Sequence, residues 1–460
     1  MYYGVGEKMV FSSITFLFIF LPITLLLYYV GKSTTYKNVV LLIASLLFYA
    51  WGEPIYVVLM MISILLNYYI GKDLGRKRSK GTLIFGVIVN LLILGYFKYS
   101  GFLVDSINNL TGFEINIRTV ALPVGISFYT FQAMSYIIDV YRGSRAQEKL
   151  LPFAVYITMF PQLIAGPIVR YNDIERQLAV RVINANNFRE GVFIFIKGLS
   201  KKVILANCLG KLHETVLGMS EMSVLSAWIG AIAYTIQIFN DFSGYSDMAI
   251  GLGKMMGFDF PVNFDKPYRS LSVTEFWRRW HISLSTWFRE YVYIPLGGNK
   301  KGVFRQIINL LIVWMLTGLW HGAAWNFVMW GAYYGVLLIL EKFVFAKIQA
   351  KLPKFIRLIM TIFIVIIGWV FFFSPSLKDA IEYLGAMFGA GDAFVDSQGL
   401  FYLCGYGLLI IIGILPATIG LGKLHKAPVV IKWIVYVILF VLSVAFLISE
   451  SYNPFLYFRF

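Results

Sequence analysis

The sequence predicts an all-α, polytopic membrane protein of about ten to twelve transmembrane helices, completed by re-entrant and interfacial helices. Three observations carry this. Hydrophobic residues make up 59% of the chain and charged ones only 14%, against roughly 25% charged in a soluble domain. Apolar runs of about 17–25 residues, long enough to cross a hydrocarbon core as helices, recur along the 460 residues. Alternating tracts of about ten residues, which a membrane barrel requires, are missing.

Residues 11–30 form the first span, interrupted by Pro22, and read as a retained helix because no small-residue cleavage site follows. Runs 39–49 and 55–70 pair across Trp51-Gly52-Glu53-Pro54. The basic stretch 72–80 belongs in the cytoplasm by the positive-inside rule, which places the N-terminus outside. Residues 83–96 lead outward to a polar external loop at 101–119. Run 120–141 carries Pro123, Gly125, Ser127, Thr130 and Gln132, too polar for a lipid-facing helix, so it should line the interior. Run 151–164 holds Pro152 and Pro161 and ends at Gly166-Pro167, a re-entrant break that needs protein around it. Residues 172–191 are amphipathic and interfacial. Run 193–209 is apolar, with Lys201 and Lys202 placed to snorkel to head groups.

After the span 225–239 come Asp241 and Asp247 among small residues, each able to cap a helix, pair with an Arg or orient a histidine. Residues 258–301 interleave Trp277, Trp280 and Trp287 with Arg278, Arg279, Arg289 and other cations, the composition of an aromatic belt on the cytoplasmic surface. Ser272 and Glu275 open a helix there as a capping box, and Pro295-Leu296-Gly297-Gly298 closes the segment with a turn. Runs 306–315 and 320–334 bring His321 deep into the fold. The basic loop 347–357 is cytoplasmic, 358–373 is a span, and 376–399, with Asp379, Glu382, Asp392 and Asp396, lies outside. Runs 403–421 and 433–448, joined by the basic stretch 423–432, finish the set. No period or duplicated half appears, which argues against an inverted-repeat transporter and for one transmembrane domain over 1–460.

The net charge of +16 would suggest nucleic acid in a soluble chain. Here the cations sit in loops, where they set topology and meet anionic lipids. Cys208 and Cys404 are far apart in apolar surroundings and suggest neither a metal site nor a disulfide framework. His321 and His281 are two of four histidines in the chain. An ionisable group in an apolar run is a functional candidate, the alternative being a packing histidine held by a carbonyl. Arg170, Arg278, Arg279 and Arg289 can grip phosphates bidentately or simply mark the cytoplasmic side. Ser243-Gly244 follows no strand, so it is packing glue rather than a nucleophile elbow.

Several stretches together resemble the membrane-bound O-acyltransferase family, in the branch that serves alginate O-acetylation. They are Phe160-Pro161-Gln162-Leu163-Ile164-Ala165-Gly166-Pro167-Ile168-Val169-Arg170-Tyr171, Asp241-Phe242-Ser243-Gly244-Tyr245-Ser246-Asp247, the segments 277–281 and 287–299, Leu319-Trp320-His321-Gly322-Ala323-Ala324-Trp325, the start Met9-Val10-Phe11-Ser12-Ser13 and the tail 453–460. The resemblance implies a multi-helix fold around a central funnel, His321 as the buried catalytic histidine and His281 as the second signature histidine, nearer the cytoplasm. It implies acetyl-CoA as donor substrate with no permanently bound cofactor, and an extracytoplasmic partner transferase, within or beside a polysaccharide synthesis or export complex. The acceptor would be an extracellular or cell-envelope polysaccharide, and the location the bacterial inner membrane. The alternatives are acyl transfer such as D-alanylation of teichoic acid from a carrier protein, or a nonenzymatic transporter or scaffold.

Acyl transfer from a thioester needs a base at the attacking hydroxyl, and His321 supplies it if its apolar shell keeps the ring neutral. Asp241 or Asp247 would fix its tautomer, and Gly318 and Gly322 would leave room for the thioester.

Overall fold

The computed structural model describes residues 9–117, 120–164, 166–219, 221–391, 393–420 and 427–449. Ala165, Asp392, part of the basic stretch 423–432 and the tail 453–460 lie outside the described residues. Within them every regular element is helical. The chain divides into two compact units, Met1–Ile196 with Tyr245–Pro261, and Lys197–Gly244 with Val262–Phe460.

In the first unit a π-helical turn, Phe16–Phe20, runs into α1 (Leu21–Val30). Pro22 lies within the continuous helix Phe16–Val30, directly after the π-helical turn, so it interrupts the regular ladder of the first span as the sequence suggests. Ser33 caps α2 (Thr34–Gly52) by accepting from the Tyr36 N–H, and Ser79 caps α4 (Lys80–Thr111) through Thr82. Between them α3 (Tyr56–Lys77) ends at Arg78, in the left-handed region. Asn67 on α3 and Asn90 on α4 exchange side-chain amide bonds of 3.1 and 2.8 Å, the polar pairing that joins helices in lipid. The stretch expected as an external loop from residue 101 instead continues α4 to Thr111, stopping where Gly112 turns left-handed. α5 (Ile126–Arg142) is buried almost throughout, as its polar content anticipates.

α6 (Leu150–Thr158) breaks at Met159 before the single turn α7 (Phe160–Leu163). Ser45 on α2 accepts the Phe160 N–H at 3.1 Å, so the break is satisfied by protein. α8 (Tyr171–Ala179) and α9 (Ala185–Ser200) follow. Phe11, Phe16, Phe48, Phe160 and Tyr245 form the aromatic heart of this unit.

The second unit opens with a π-helical turn, Lys201–Ala206, and α10 (Asn207–Leu217). Lys202, expected at the head groups, is buried in a 2.5 Å ion pair with Asp241 of α11 (Val224–Met255). Lys201 donates to Ser243 Oγ at 3.1 Å and lies over the Phe239 ring. The apolar stems were read correctly, but a carboxylate and a hydroxyl on the facing helix offered closer partners than lipid. α12 (Val273–Arg279) and α13 (Ile282–Phe288) lead to α14 (Val303–His321) and α15 (Trp325–Leu340). Then come α16 (Ala346–Lys351), α17 (Lys354–Phe373), α18 (Leu377–Met387), α19 (Ser397–Thr418) and α20 (Val429–Ser449).

Among the described residues eight helices are long and apolar enough to cross a membrane: α2, α3, α4, α14, Trp325–Lys351, α17, α19 and α20. Phe16–Val30 is a shorter apolar helix. The sequence count of ten to twelve also included the runs now seen in α5 to α7 and α9 to α11. Those are shorter, broken or more polar, and their side chains are largely covered by protein.

Candidate active site

Glycines set the geometry of the α14–α15 hairpin. A Cβ on Gly331 would sit 2.4 Å from the Trp314 carbonyl oxygen, and one on Gly318 2.2 Å from that of Phe327. No side chain fits, so the two backbones touch, the small-residue packing typical of helices in lipid. Gly318 therefore faces α15, and a Cβ on Gly322 would strike the Phe327 ring at 2.1 Å. Neither glycine opens space for a thioester, contrary to the sequence reading, because Phe327 occupies it.

The hairpin fixes His321 as the last residue of α14, buried, with the extended Gly322 as its C-cap. The rings of Trp320, Trp330 and Phe372 lie 5.0, 5.2 and 5.2 Å away. The His281 ring is 6.5 Å off. The structure thus brings the two histidines together.

His281 comes from the segment read as an aromatic belt. Trp277, Trp280 and Trp287 are instead buried. Trp280 packs on Phe264, Phe276 and Trp369, and Trp277 on Trp314, Trp330 and Tyr334. The sequence could not separate an aromatic belt from an aromatic core, since both use Trp beside Arg. His281 is consequently more buried than His321, 1% exposed against 6%, and not the more open residue its basic neighbours suggested. It sits in the left-handed region, φ 46°, as the N-cap of α13. Its Nδ1 is 3.1 Å from Asn263 Oδ1, and its ring lies 4.6 Å from that of Phe242. Burial, and secondarily the nearby His321, holds its pKa well below the ordinary 6.5, so the ring is neutral at physiological pH.

His281 lines a cavity of about 680 Å³. Arg278, Arg289, Lys342 and Arg357 share its wall with Glu341, Tyr293 and Thr317, the last one helical turn before His321. Two π-helical turns, Arg289–Tyr293 and Glu341–Phe345, border it. Such turns recur at functional sites. The Glu341 carboxylate accepts the N–H groups of Val273 and Thr274 at 2.7 and 2.9 Å, capping α12, while Glu275 accepts from Leu271 N–H and Ser272 accepts from Glu275 N–H. The expected capping box thus forms with its return bond displaced by one residue.

The arginines divide. Arg278 and Arg289 line the cavity, Arg289 also pairing with Glu290 at 2.8 Å. Arg279 is absent from the lining and forms 3.0 Å ion pairs with Asp265 and Glu275. Arg170 belongs to the other unit, where it grips Asp173 at 2.8 Å and caps α8. Asp241 pairs with Lys202, and Asn263 Oδ1 lies against the Nδ1 of His281. Sequence reasoning missed Asn263, Glu341, Lys342 and Arg357. An acid in the apolar run that continues past α15 into the π-helical turn was a legible signal for Glu341. Arg357 was read only as part of the basic loop 347–357.

Residues 149–378 match the membrane-bound O-acyltransferase family, MBOAT. A probable alginate O-acetylase of Pseudomonas putida is 43% identical over 98% of this chain and 100% of its own. A peptidoglycan O-acetyltransferase of Helicobacter pylori is 33% identical, covering 83% of this chain and 80% of its own. A teichoic acid D-alanyltransferase of Streptococcus thermophilus is 30% identical over 47% of this chain and 56% of its own. The chain belongs to the membrane-bound O-acyltransferase family. It is an O-acyltransferase and a multi-pass protein of the bacterial cytoplasmic membrane.

Proposed function

We propose that the chain, acting as one transmembrane domain over 1–460, takes acetyl groups from cytoplasmic acetyl-CoA for O-acetylation of an extracellular or cell-envelope polysaccharide. An extracytoplasmic transferase completes the delivery. The observation that carries this is the cavity that joins His281, close to His321, to a wall of Arg278, Arg289, Lys342 and Arg357. A phosphate-rich thioester fits such a wall, because guanidinium groups bind phosphate oxygens bidentately.

His321 acts as general base. It takes the proton of the attacking hydroxyl as the C–O bond to the acetyl carbonyl forms. The tetrahedral intermediate then collapses, the C–S bond breaks, and the departing thiolate takes the proton back from His321. The apolar rings around His321 exclude water, which would otherwise hydrolyse the thioester. His281 shapes the donor end of the site. The acetyl group is favoured over D-alanine because the likeness to O-acetylases extends over most of the chain and that to the D-alanyltransferase over under half.

The test is mass spectrometry of the envelope polysaccharides of cells with the chain, without it, and with His321→Gln at equal membrane abundance. Ester-linked acetyl should be present only with the parent. Full acetylation with His321→Gln would remove His321 as the base, and loss of D-alanine esters instead of acetyl would move the chain to the teichoic acid reading.

A further inference from the structure

Asn263 holds the three-residue turn that carries His281. Its backbone carbonyl accepts the Ile282 N–H at 3.0 Å. Its side-chain Oδ1 accepts from Ser283 N–H at 3.2 Å and Ser283 Oγ–H at 2.9 Å, and lies 3.1 Å from His281 Nδ1. The Ser283 backbone N–H can only donate, so the amide oxygen, not the amide nitrogen, faces the turn. An oxygen that already serves as acceptor requires the proton on His281 Nδ1. Asn263, His281 and Ser283 are buried. The same bonds hold His281 in a left-handed conformation that a side chain with a Cβ rarely adopts.

We propose that Asn263 is a positioning residue that locks His281 as the Nδ1–H tautomer, so that Nε2, on the far side of the ring, is the nitrogen that accepts a proton or hydrogen bond at the cavity. For its catalytic consequence the inference rests on the acyl-transfer reading above. It gives His281 a defined part in the reaction. A ring whose tautomer is fixed by a second residue presents one lone pair in one direction. With Nε2 as acceptor, His281 receives a hydrogen bond from a substrate hydroxyl or amide beside His321 rather than donating one.

The Nδ2 group of Asn263 is buried and has no hydrogen-bond partner among the described residues. Asn263→Asp therefore keeps every acceptor bond to the turn while adding a negative charge at Nδ1–H. Asn263→Leu removes the acceptor. The titratable group that bears on His281 protonation is His321 from α14; Arg278 from α12, Arg289 after α13, Glu341 and Lys342 after α15, and Arg357 from α17 are the charged groups that line the same cavity.

The experiment uses the purified full chain with ¹⁵N-labelled histidine, the His281 ring signals being assigned by their loss in His281→Gln. In the parent, Nδ1 should be protonated and Nε2 bare at neutral pH. In Asn263→Leu this preference should vanish, and kcat should fall on the order of 10- to 100-fold, the range for losing an outer partner of a working histidine, with donor KM within about twofold. In Asn263→Asp the imidazolium should persist to higher pH, and the acidic limb of the acetyl-transfer profile should move up with it. A parent ring protonated at Nε2, or an Asn263→Asp profile that coincides with the parent's, would overturn the proposal. If Asn263→Leu does not fold, Asn263→Asp decides alone. If the parent transfers no acetyl group, the functional reading fails, while the ring signals still decide the tautomer.

Discussion

At the scale of single residues, the sharpest expectation concerns His321. Glutamine keeps hydrogen-bonding capacity but cannot take a proton at neutral pH. His321→Gln should therefore reduce acetyl transfer by about 10²–10⁴-fold. Transfer within about threefold of the parent at equal membrane abundance would make the residue structural and leave His281 as the leading base. A second expectation separates neighbouring arginines. Arg278→Gln should raise donor KM about tenfold, one lost charge-assisted contact, because Arg278 faces the cavity. Arg279→Gln should leave KM alone and cost at most about 1 kcal/mol of stability, since its partners are partly exposed and water screens the pairs. Equal effects on KM would mean that the cavity wall does not contact the donor. His281 adds a pH dependence. Its folded pKa is depressed, so the unfolded chain binds the proton more readily. Stability is complete above the ordinary value of 6.5 and declines as pH falls below it towards the folded pKa. Thermal scans in detergent should show the midpoint dropping from pH 7 to pH 5, less steeply in His281→Gln. His321 stands out in the sequence because it lies between apolar runs, whereas His281, in a basic interval, was marked only by the family resemblance. Asn263 was not legible, because an asparagine before Phe264-Asp265 reads like any loop residue, and only folding brings it to a turn eighteen positions away.

At the scale of elements, backbone contact between α14 and α15 places His321. Gly331→Leu should force the helices apart and lower stability by about 1–3 kcal/mol, the usual range for overpacking, with loss of acyl transfer even in molecules that still insert. Unchanged thermal stability in that variant would mean the hairpin is looser than described. Long apolar helices were legible from hydropathy alone, although the serines that cap α2 and α4 were not read. Segment 258–301 was assigned to a surface because its composition is interfacial. Its position is decided by long-range partners, Phe242, Trp314, Trp330 and Trp369, which no local window contains. The end of α4 was also misplaced, because polar residues from 101 onward were weighed above helix continuity, and a helix ends at its stop signal, here Gly112.

At the scale of the whole molecule, the sequence assigns the basic turn after α13 to the cytoplasm. A cysteine at Lys300, which is exposed in the structure, should react with an impermeant reagent only from that side. Labelling from outside would invert the topology and with it the direction of acetyl flow. The acidic stretch around α18, which the sequence assigns to the outside, is too short to form a polysaccharide-binding domain of its own. The purified chain should then load acetyl groups onto a small acceptor yet fail to acetylate polymer at the rate seen in cells, until an extracytoplasmic transferase is added. Polymer acetylation at the cellular rate by the chain alone would remove the partner.

The π-helical turns beside the cavity bear on which changes in chain length the protein tolerates. A π turn holds one more residue than the α turn it replaces, while the helices on either side keep their phase. Removing Val344 from Glu341–Phe345 should close that turn into regular helix, leave α15 and α16 facing as they do, and alter only the stretch of wall that carries Lys342. Removing one residue from the middle of α15 has no such slack and turns everything beyond it by about 100°. Single-residue insertions and deletions that spare folding should therefore concentrate at Arg289–Tyr293 and Glu341–Phe345, where a change in length becomes a change in the shape of the cavity.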